Sequence, residues 1–282
     1  MIEGKPSATA FRVAISRAAH QLLDVPVVFN DPVAVAIIGK QAEADVLSYR
    51  RRYNSRFAAF LRAFLIARSL LAEDLLAEAF TRGVRQYVVL GAGLDTFAYR
   101  NPYAGLRVFE VDFPATQEWK RARLRDAGII VPDSVVYASC DFSRESVMDR
   151  LVAAGLDPTA PTFVSWLGVT MYLEPPVVLS TVDMLRPIVA APGGLVFDYF
   201  APTRSYNPIL RLALWFLANR VARAGEPFRS KFEPSELVAS LRALGCSRAD
   251  DYDGDALTSR YFARRADHLR TRGRGHVMHV QG

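Results

Sequence analysis

Apolar and polar positions follow two different periods along this chain, and the change falls near residue 85. Before it, apolar residues recur every three or four positions, the spacing of helices that bury one face. Ala8 to Leu23 has this spacing, Asp31-Pro32 has the form of a helix start with proline in the first turn, and Glu43 to Tyr49 gives another short helix. A long helix is predicted from about Ser55 to Phe80, with Gly83 just past its end. Its apolar stripe is Phe57, Leu61, Phe64, Leu71 and Leu75, and Arg68 falls in the same stripe. A guanidinium keeps its charge and is costly to bury alone, so Arg68 should meet an anion. A core carboxylate in a structural ion pair would serve, as would a bound anionic ligand. The remaining option is an arginine that reaches out to water.

From Gln86 onward, short strand patterns alternate with helical ones, the signature of a parallel sheet covered on both faces. Strands are predicted at Gln86–Leu90, Arg107–Asp112, Val135–Ser139, Thr162–Gly168 and Gly194–Phe200. Between them Pro114 opens a helix to Asp126, and Pro175 opens one that ends near Val189. Tyr206 to Arg223 carries Leu210, Leu212, Leu214, Trp215, Phe216 and Leu217 and is read as a helical lid; a peripheral helix or a dimer contact is the plainer alternative. After a helix from Pro234 to Gly245, Ser247–Asp253 and Ser259–Arg264 form an expected antiparallel pair. The residues beyond Ala266 are charged and expected to fray. The organisation is therefore a helical cap over 1–80, an α/β core over 81–265 integrated with it, and a basic tail over 266–282.

The candidate chemistry sits where the first strand of the core ends. Gly91-Ala92-Gly93 follows that strand at once, and two glycines one residue apart allow a sharp turn and close approach of a ligand to bare main chain. Asp112 closes the second strand, where an acid about twenty residues beyond a glycine turn is placed to hold ribose hydroxyls. Together they describe a nucleoside site. A dinucleotide fingerprint places a third glycine where this chain has Thr96, which disfavours a nicotinamide cofactor. At the end of the third strand, Asp141-Phe142 would frame an adenine by a hydrogen bond and ring packing; equally, Asp141 would cap a helix starting near Glu145.

Composition narrows the class. With 282 residues, 51% of them apolar, the chain can bury a large core, and it contains no apolar run long enough to span a membrane. Its first residues lack the pattern of a secretory signal, so a cytoplasmic protein is expected. Cys140 and Cys246 have no metal or disulfide spacing and read as buried small hydrophobes. The net charge of +6 arises partly from Arg50-Arg51-Arg52 and from Arg270 to Arg274, short runs without the aromatic interleaving of a nucleic-acid site. The charge reads as a solvated surface, compatible with an acidic small substrate.

In combination these residues resemble a known family. Leu90-Gly91-Ala92-Gly93-Leu94-Asp95-Thr96, Phe109-Glu110-Val111-Asp112-Phe113-Pro114, Asp141-Phe142, and Gly168 with Tyr172-Leu173 and Pro175 look like the leucine carboxyl methyltransferases, as do Asn30 to Ala34 and Ala67-Arg68. The resemblance spans most of residues 10 to 265. It implies a class I methyltransferase fold, a Rossmann-like and mostly parallel sheet with a terminal antiparallel strand, under an N-terminal helical cap. It implies S-adenosyl-L-methionine as cofactor, with Gly91, Ala92 and Gly93 against it, Asp112 on the ribose, and Asp141 and Phe142 around the adenine. Arg68 matches the family arginine that meets the methionine carboxylate, and Arg17 matches a second basic residue nearby. Leu167 stands where many members carry a glutamate, a departure at one cofactor contact.

The acceptor must offer an unprotonated lone pair. A carboxylate has one at neutral pH, whereas a hydroxyl gains from a general base. Of His20, His268, His276 and His279, only His20 falls in the cap as a conceivable base, and a helix residue without chemistry is the simpler reading. His276 and His279 have a helical metal spacing with no further ligand pattern. Tyr172 falls near the expected acceptor position. The expected function is an O-methyltransferase acting on a carboxylate or hydroxyl of a small molecule, without nucleic-acid or membrane partners, as a monomer or homodimer. A nicotinamide-dependent oxidoreductase and a non-catalytic nucleoside-binding protein are the alternatives.

Overall fold

The computed structural model describes residues 7–141, 144–202 and 228–282, so the expected lid and Phe142 lie outside the described residues. Helix α1 (Ala8–Leu23) starts on Ser7, whose hydroxyl accepts from the Ala10 N–H, and α2 (Pro32–Ile38) starts on Asp31, which accepts from Ala34. These caps satisfy N–H groups that a helix start leaves unpaired. Then come α3 (Lys40–Ser48), α4 (Arg50–Tyr53) and the long α5 (Arg56–Thr81), capped by Ser55. The stripe expected along α5 is correct in its second half only. Phe64, Leu71 and Leu75 are buried, but Phe57 and Leu61 are exposed, because the fully buried part of α5 begins only at Arg62.

The core alternates as expected through β1 (Gln86–Leu90), β2 (Arg107–Asp112), α6 (Pro114–Asp126), β3 (Val135–Ser139), α7 (Val147–Ala153), β4 (Thr162–Trp166), α8 (Pro175–Leu185), β5 (Gly194–Phe200), α9 (Pro234–Ala243) and β6 (Arg248–Tyr252). Two parts of the carboxyl-terminal expectation are corrected. The expected strand at Ser259–Arg264 overlaps instead the end of α10 (Gly254–Tyr261), which Asp253 caps through the Ala256 N–H. The tail expected to fray supplies β7 (Gly275–Gln281), which lies inside the sheet, antiparallel to both β5 and β6.

The strand order is β3-β2-β1-β4-β5-β7-β6, with every pair from β3 to β5 parallel. This is the arrangement that the resemblance to the leucine carboxyl methyltransferases implies. The order reverses direction between β1 and β4, and in such sheets the crevice beyond the carboxyl ends at that reversal is where ligands bind. Side chains alternate across the sheet. Val88, Leu90, Val164, Trp166 and Phe197 face α7, α8 and α9 on one side, and Tyr87, Val89, Phe163 and Val196 face α5 and α10 on the other. Helices α1, α2 and α6 close a smaller cluster around Ala18, Ile37, Leu94 and Leu124. Cys140 and Cys246 are buried free thiols, as expected. Among the described residues no helix is long and apolar enough to cross a membrane.

Candidate cofactor cleft

Beyond the carboxyl ends of β1, β2 and β4 opens a cleft of about 1110 Å³. It brings together Arg68, Gly91, Ala92, Gly93, Asp112, Asp141 and Leu167, the described candidates from the sequence, and Tyr172 with them. The glycine turn leaves β1 with the Gly91 and Ala92 N–H groups both donating to the Val111 carbonyl, at 2.8 and 3.0 Å. Gly91 has a φ of 66°, and a Cβ there would lie 2.4 Å from Val169 Cγ2. So the missing side chain admits the turn after β4, where the sequence reading had placed only a ligand.

Asp112 is 5% exposed, and its carboxylate accepts from the Gly93 N–H at 2.6 Å and the Phe113 N–H at 2.7 Å. A carboxylate holding two backbone donors fixes the glycine turn to the end of β2. Asp141 begins a turn in which its carbonyl accepts from the Arg144 and Glu145 N–H groups. The next helix starts later than expected, at Val147, with Ser146 rather than Asp141 as its cap. Leu167 comes directly after β4 and is followed by Gly168, Val169 and a single 3-10 turn, Thr170–Tyr172. Tyr172 stacks on Phe228 at 5.6 Å.

The two arginines of the cap behave differently. Arg17 donates to Asp31 from Nε (3.1 Å) and Nη2 (2.7 Å), to Thr96 from Nη2 (2.8 Å) and to Asp95 from Nη1 (2.8 Å). Burial pushes the Asp95 carboxyl up, but Arg17 and then Lys120 outweigh it and hold the group at about 2. Burial alone would lower the Arg17 pKa, and the facing acids Asp31 and Asp95 reverse that and raise it. Arg68 pairs with Asp198 on β5 at 2.5 Å, the core carboxylate that one reading of its stripe required. Asp198 also accepts from the Gly168 N–H at 2.6 Å. Sequence reasoning missed Asp198, Asp95 and the Arg17 network. The one local signal for Asp198 is a lone acid in the apolar run Gly-Leu-Val-Phe-Asp-Tyr-Phe.

The histidines stand apart from the cleft. His20 is fully buried, with Nδ1 2.8 Å from Asp24 and Nε2 accepting from the Val28 and Phe29 N–H groups. Both ring nitrogens are occupied, so the ring ties α1 to the loop before α2. His276 and His279 lie on a strand, where residues three apart face opposite sides. His276 bonds to Asp251, whereas burial lowers the His279 pKa to about 4. Among the described residues no group of side chains has the makings of a metal site.

Comparisons with known proteins give a consistent result. Residues 10–186 match the family model for leucine carboxyl methyltransferase. A Bacillus subtilis (strain 168) protein assigned to the S-adenosyl-L-methionine-dependent methyltransferases is 29% identical over 99% of this chain and 99% of its own length. A Mycobacterium ulcerans (strain Agy99) protein of the same assignment is 31% identical over 90% of this chain and 84% of its own. In three dimensions the chain is similar to a Thermobifida fusca YX methyltransferase, with a TM-score of 0.56 and 16% identity over 99% of this chain and 96% of that one. At that identity the likeness speaks for the fold.

Proposed function

Because this chain belongs to the leucine carboxyl methyltransferase family and is an S-adenosyl-L-methionine-dependent methyltransferase, we propose that it methylates an oxygen of a small-molecule acceptor, with a carboxylate favoured over a hydroxyl. The observation that carries the preference is the surroundings of the cleft, which no histidine lines. All four histidines are among the described residues, and the one in the cap has both ring nitrogens occupied. An acceptor that is already anionic at neutral pH needs no base.

The cleft fits the cofactor in its donor set. A guanidinium on one side, a carboxylate on the other and bare main chain between them match an amino-acid carboxylate, ribose hydroxyls and a linking thioether. In this reading Arg68 meets the methionine carboxylate, Asp112 accepts from the ribose hydroxyls, and Asp141 and Phe142 bound the adenine. Gly91, Ala92 and Gly93 present main chain to the middle of the molecule, and Leu167 contributes an apolar contact where many relatives carry a glutamate. S-adenosyl-L-methionine supplies a methyl group on a sulfonium, from which a neutral thioether departs without protonation. What the protein adds is chiefly orientation, because alignment of acceptor, methyl and sulfur lowers the entropic part of the barrier. Tyr172 and Arg229, both at the cleft wall, would orient the acceptor.

Thr96 argues against a nicotinamide cofactor. It fills the third-glycine position and is 1% exposed, its hydroxyl held between Arg17 and Asp31. Calorimetry should show S-adenosylhomocysteine binding and no NAD binding. Transfer of labelled methyl to a metabolite extract, followed by mild alkaline treatment, identifies the acceptor atom. Methyl esters release methanol under base, whereas ethers keep their label. Alkali-stable label would overturn the preference for a carboxylate.

A further inference from the structure

We infer that Asp198 is a positioning residue that sets Arg68 to receive the carboxylate of the cofactor. The inference rests on the reading of Arg68 given above and goes beyond it, because Asp198 lies behind the cleft wall. Asp198 is fully buried on β5, and its two oxygens do different things. Oδ2 accepts from Arg68 Nη1 at 2.5 Å and Oδ1 from the Gly168 N–H at 2.6 Å. Its main-chain carbonyl accepts from the Thr170 hydroxyl, and the Thr170 carbonyl accepts from the Ser230 hydroxyl. One residue therefore ties α5, the turn after β4 and, through Val169 against Gly91, the glycine turn.

The geometry leaves the guanidinium aimed rather than spent. Among the described residues Asp198 is its only hydrogen-bond partner and takes Nη1, while Arg68 as a whole still lines the cleft. Nη2 lies 3.0 Å from where a Cβ on residue 168 would stand, and Gly168 has a φ of 77°. A side chain there would be strained and would press on the guanidinium. An arginine has several rotatable bonds, and a ligand that must order them loses affinity. Asp198 orders them beforehand. Its own charge opposes a second carboxylate on the same cation, and the Gly168 N–H, which holds one of its oxygens, offsets part of that opposition.

The test compares two ligands that differ by the recognised group. S-adenosylhomocysteine carries the amino-acid carboxylate, whereas 5′-methylthioadenosine has the same nucleoside and thioether without it. Calorimetry on wild type, Asp198→Asn, Arg68→Met and the double variant that combines them gives the affinity ratio of the two ligands. Asp198→Asn should weaken S-adenosylhomocysteine tenfold or more and leave 5′-methylthioadenosine within twofold, and the double variant should lose no more than Arg68→Met alone. A folded Asp198→Asn that weakens both ligands equally, or neither, overturns the inference. If that variant does not fold, Asp198→Glu keeps the ion pair and displaces it by one methylene; an unchanged ratio there overturns the inference equally. An Arg68→Met protein with the wild-type ratio would instead sink the underlying reading of Arg68.

Discussion

Arg17 and Arg68 are both buried, both belong to the helices over the sheet and both line the cleft, yet the structure employs them differently. Arg17 directs all three of its nitrogens to Asp31, Asp95 and Thr96. This network extends through Arg100, which bonds to Glu73 on α5 and lies 3.3 Å from Asp31. It joins α1, α2, α5 and the glycine turn, and among the described residues it leaves Arg17 a single uncommitted N–H, on Nη1. Among the described residues Arg68 has one hydrogen-bond partner, Asp198. Similar burial thus hides two roles, and what separates them is the number of donors still uncommitted. A family resemblance that lays both arginines near one ligand carboxylate is refined accordingly: Arg68 remains the candidate, and Arg17 holds the wall.

The largest effect expected from this contrast is on Arg17→Met. It removes the cation from Asp31 and Asp95, and breaking a buried pair from one side costs about 3 to 5 kcal/mol. Denaturant melts should show that loss, and the same increment of ligand stabilisation should remain when S-adenosylhomocysteine is added. A variant that melts like wild type but no longer responds to the ligand would reverse the roles assigned to the two arginines.

Arg68→Met comes next. Asp198 loses the cation it pairs with but keeps its bond from the Gly168 N–H, so the loss without ligand should fall at the lower end of the range for a buried pair broken from one side, about 3 kcal/mol. The ligand-induced rise in melting midpoint should largely vanish. A loss as large as that of Arg17→Met, with the ligand response intact, would make Arg68 structural as well.

How far such roles were legible in the sequence follows from the distances along the chain over which they are made. The glycine turn, Asp112 at the end of β2, and the start of α6 at Pro114 are local patterns, and the place of each in the fold is readable from its neighbours. Arg68 announced itself as a charge in an apolar stripe, but its partner lies 130 residues away, and nothing near Arg68 names it. The stripe also ran too far, since Phe57 and Leu61 continue the period of α5 over its first turns, where that face is left exposed while Ala59 packs against the core. Strand β7 was missed for a different reason. It is buried on both faces, so it shows no alternation, and the apolar residues Val277, Met278 and Val280 enclose His279 and follow a basic run. Its register comes from β5, some eighty residues earlier, where Val196 pairs with His279.

Acid sharpens the comparison further. Asp95 titrates at about 2 in the folded protein, below an ordinary value near 3.9. The folded state therefore binds fewer protons than the unfolded state in this window. The stabilisation from Asp95 is complete above about pH 4 and is lost as pH falls toward 2. Its size is on the order of 2 kcal/mol. Glu73 in the same network is pushed up by burial and works in the opposite sense, so the slope is best read as wild type minus Asp95→Asn. Equal acid slopes for the two proteins would show that Arg17 does not hold Asp95 as described.

The smallest effect on the fold, and the sharpest on the role, is expected of Arg68→Lys. Lysine preserves the positive charge and can keep one bond to Asp198, so the stability without ligand should change by less than about 1 kcal/mol, the ordinary range for one hydrogen bond. It cannot preserve the fork. An ammonium is a single point of charge on a shorter stem, and having met Asp198 it has no second planar edge to offer a carboxylate. The affinity for S-adenosylhomocysteine should therefore fall about tenfold, the equivalent of roughly 1.4 kcal/mol, while 5′-methylthioadenosine binds as before. Were Arg68→Lys to bind S-adenosylhomocysteine like wild type, charge alone would suffice at this position. The distinction drawn between an arginine with donors spent and one with donors in reserve would then lose its basis, because a lysine held by Asp198 has no fork to keep in reserve.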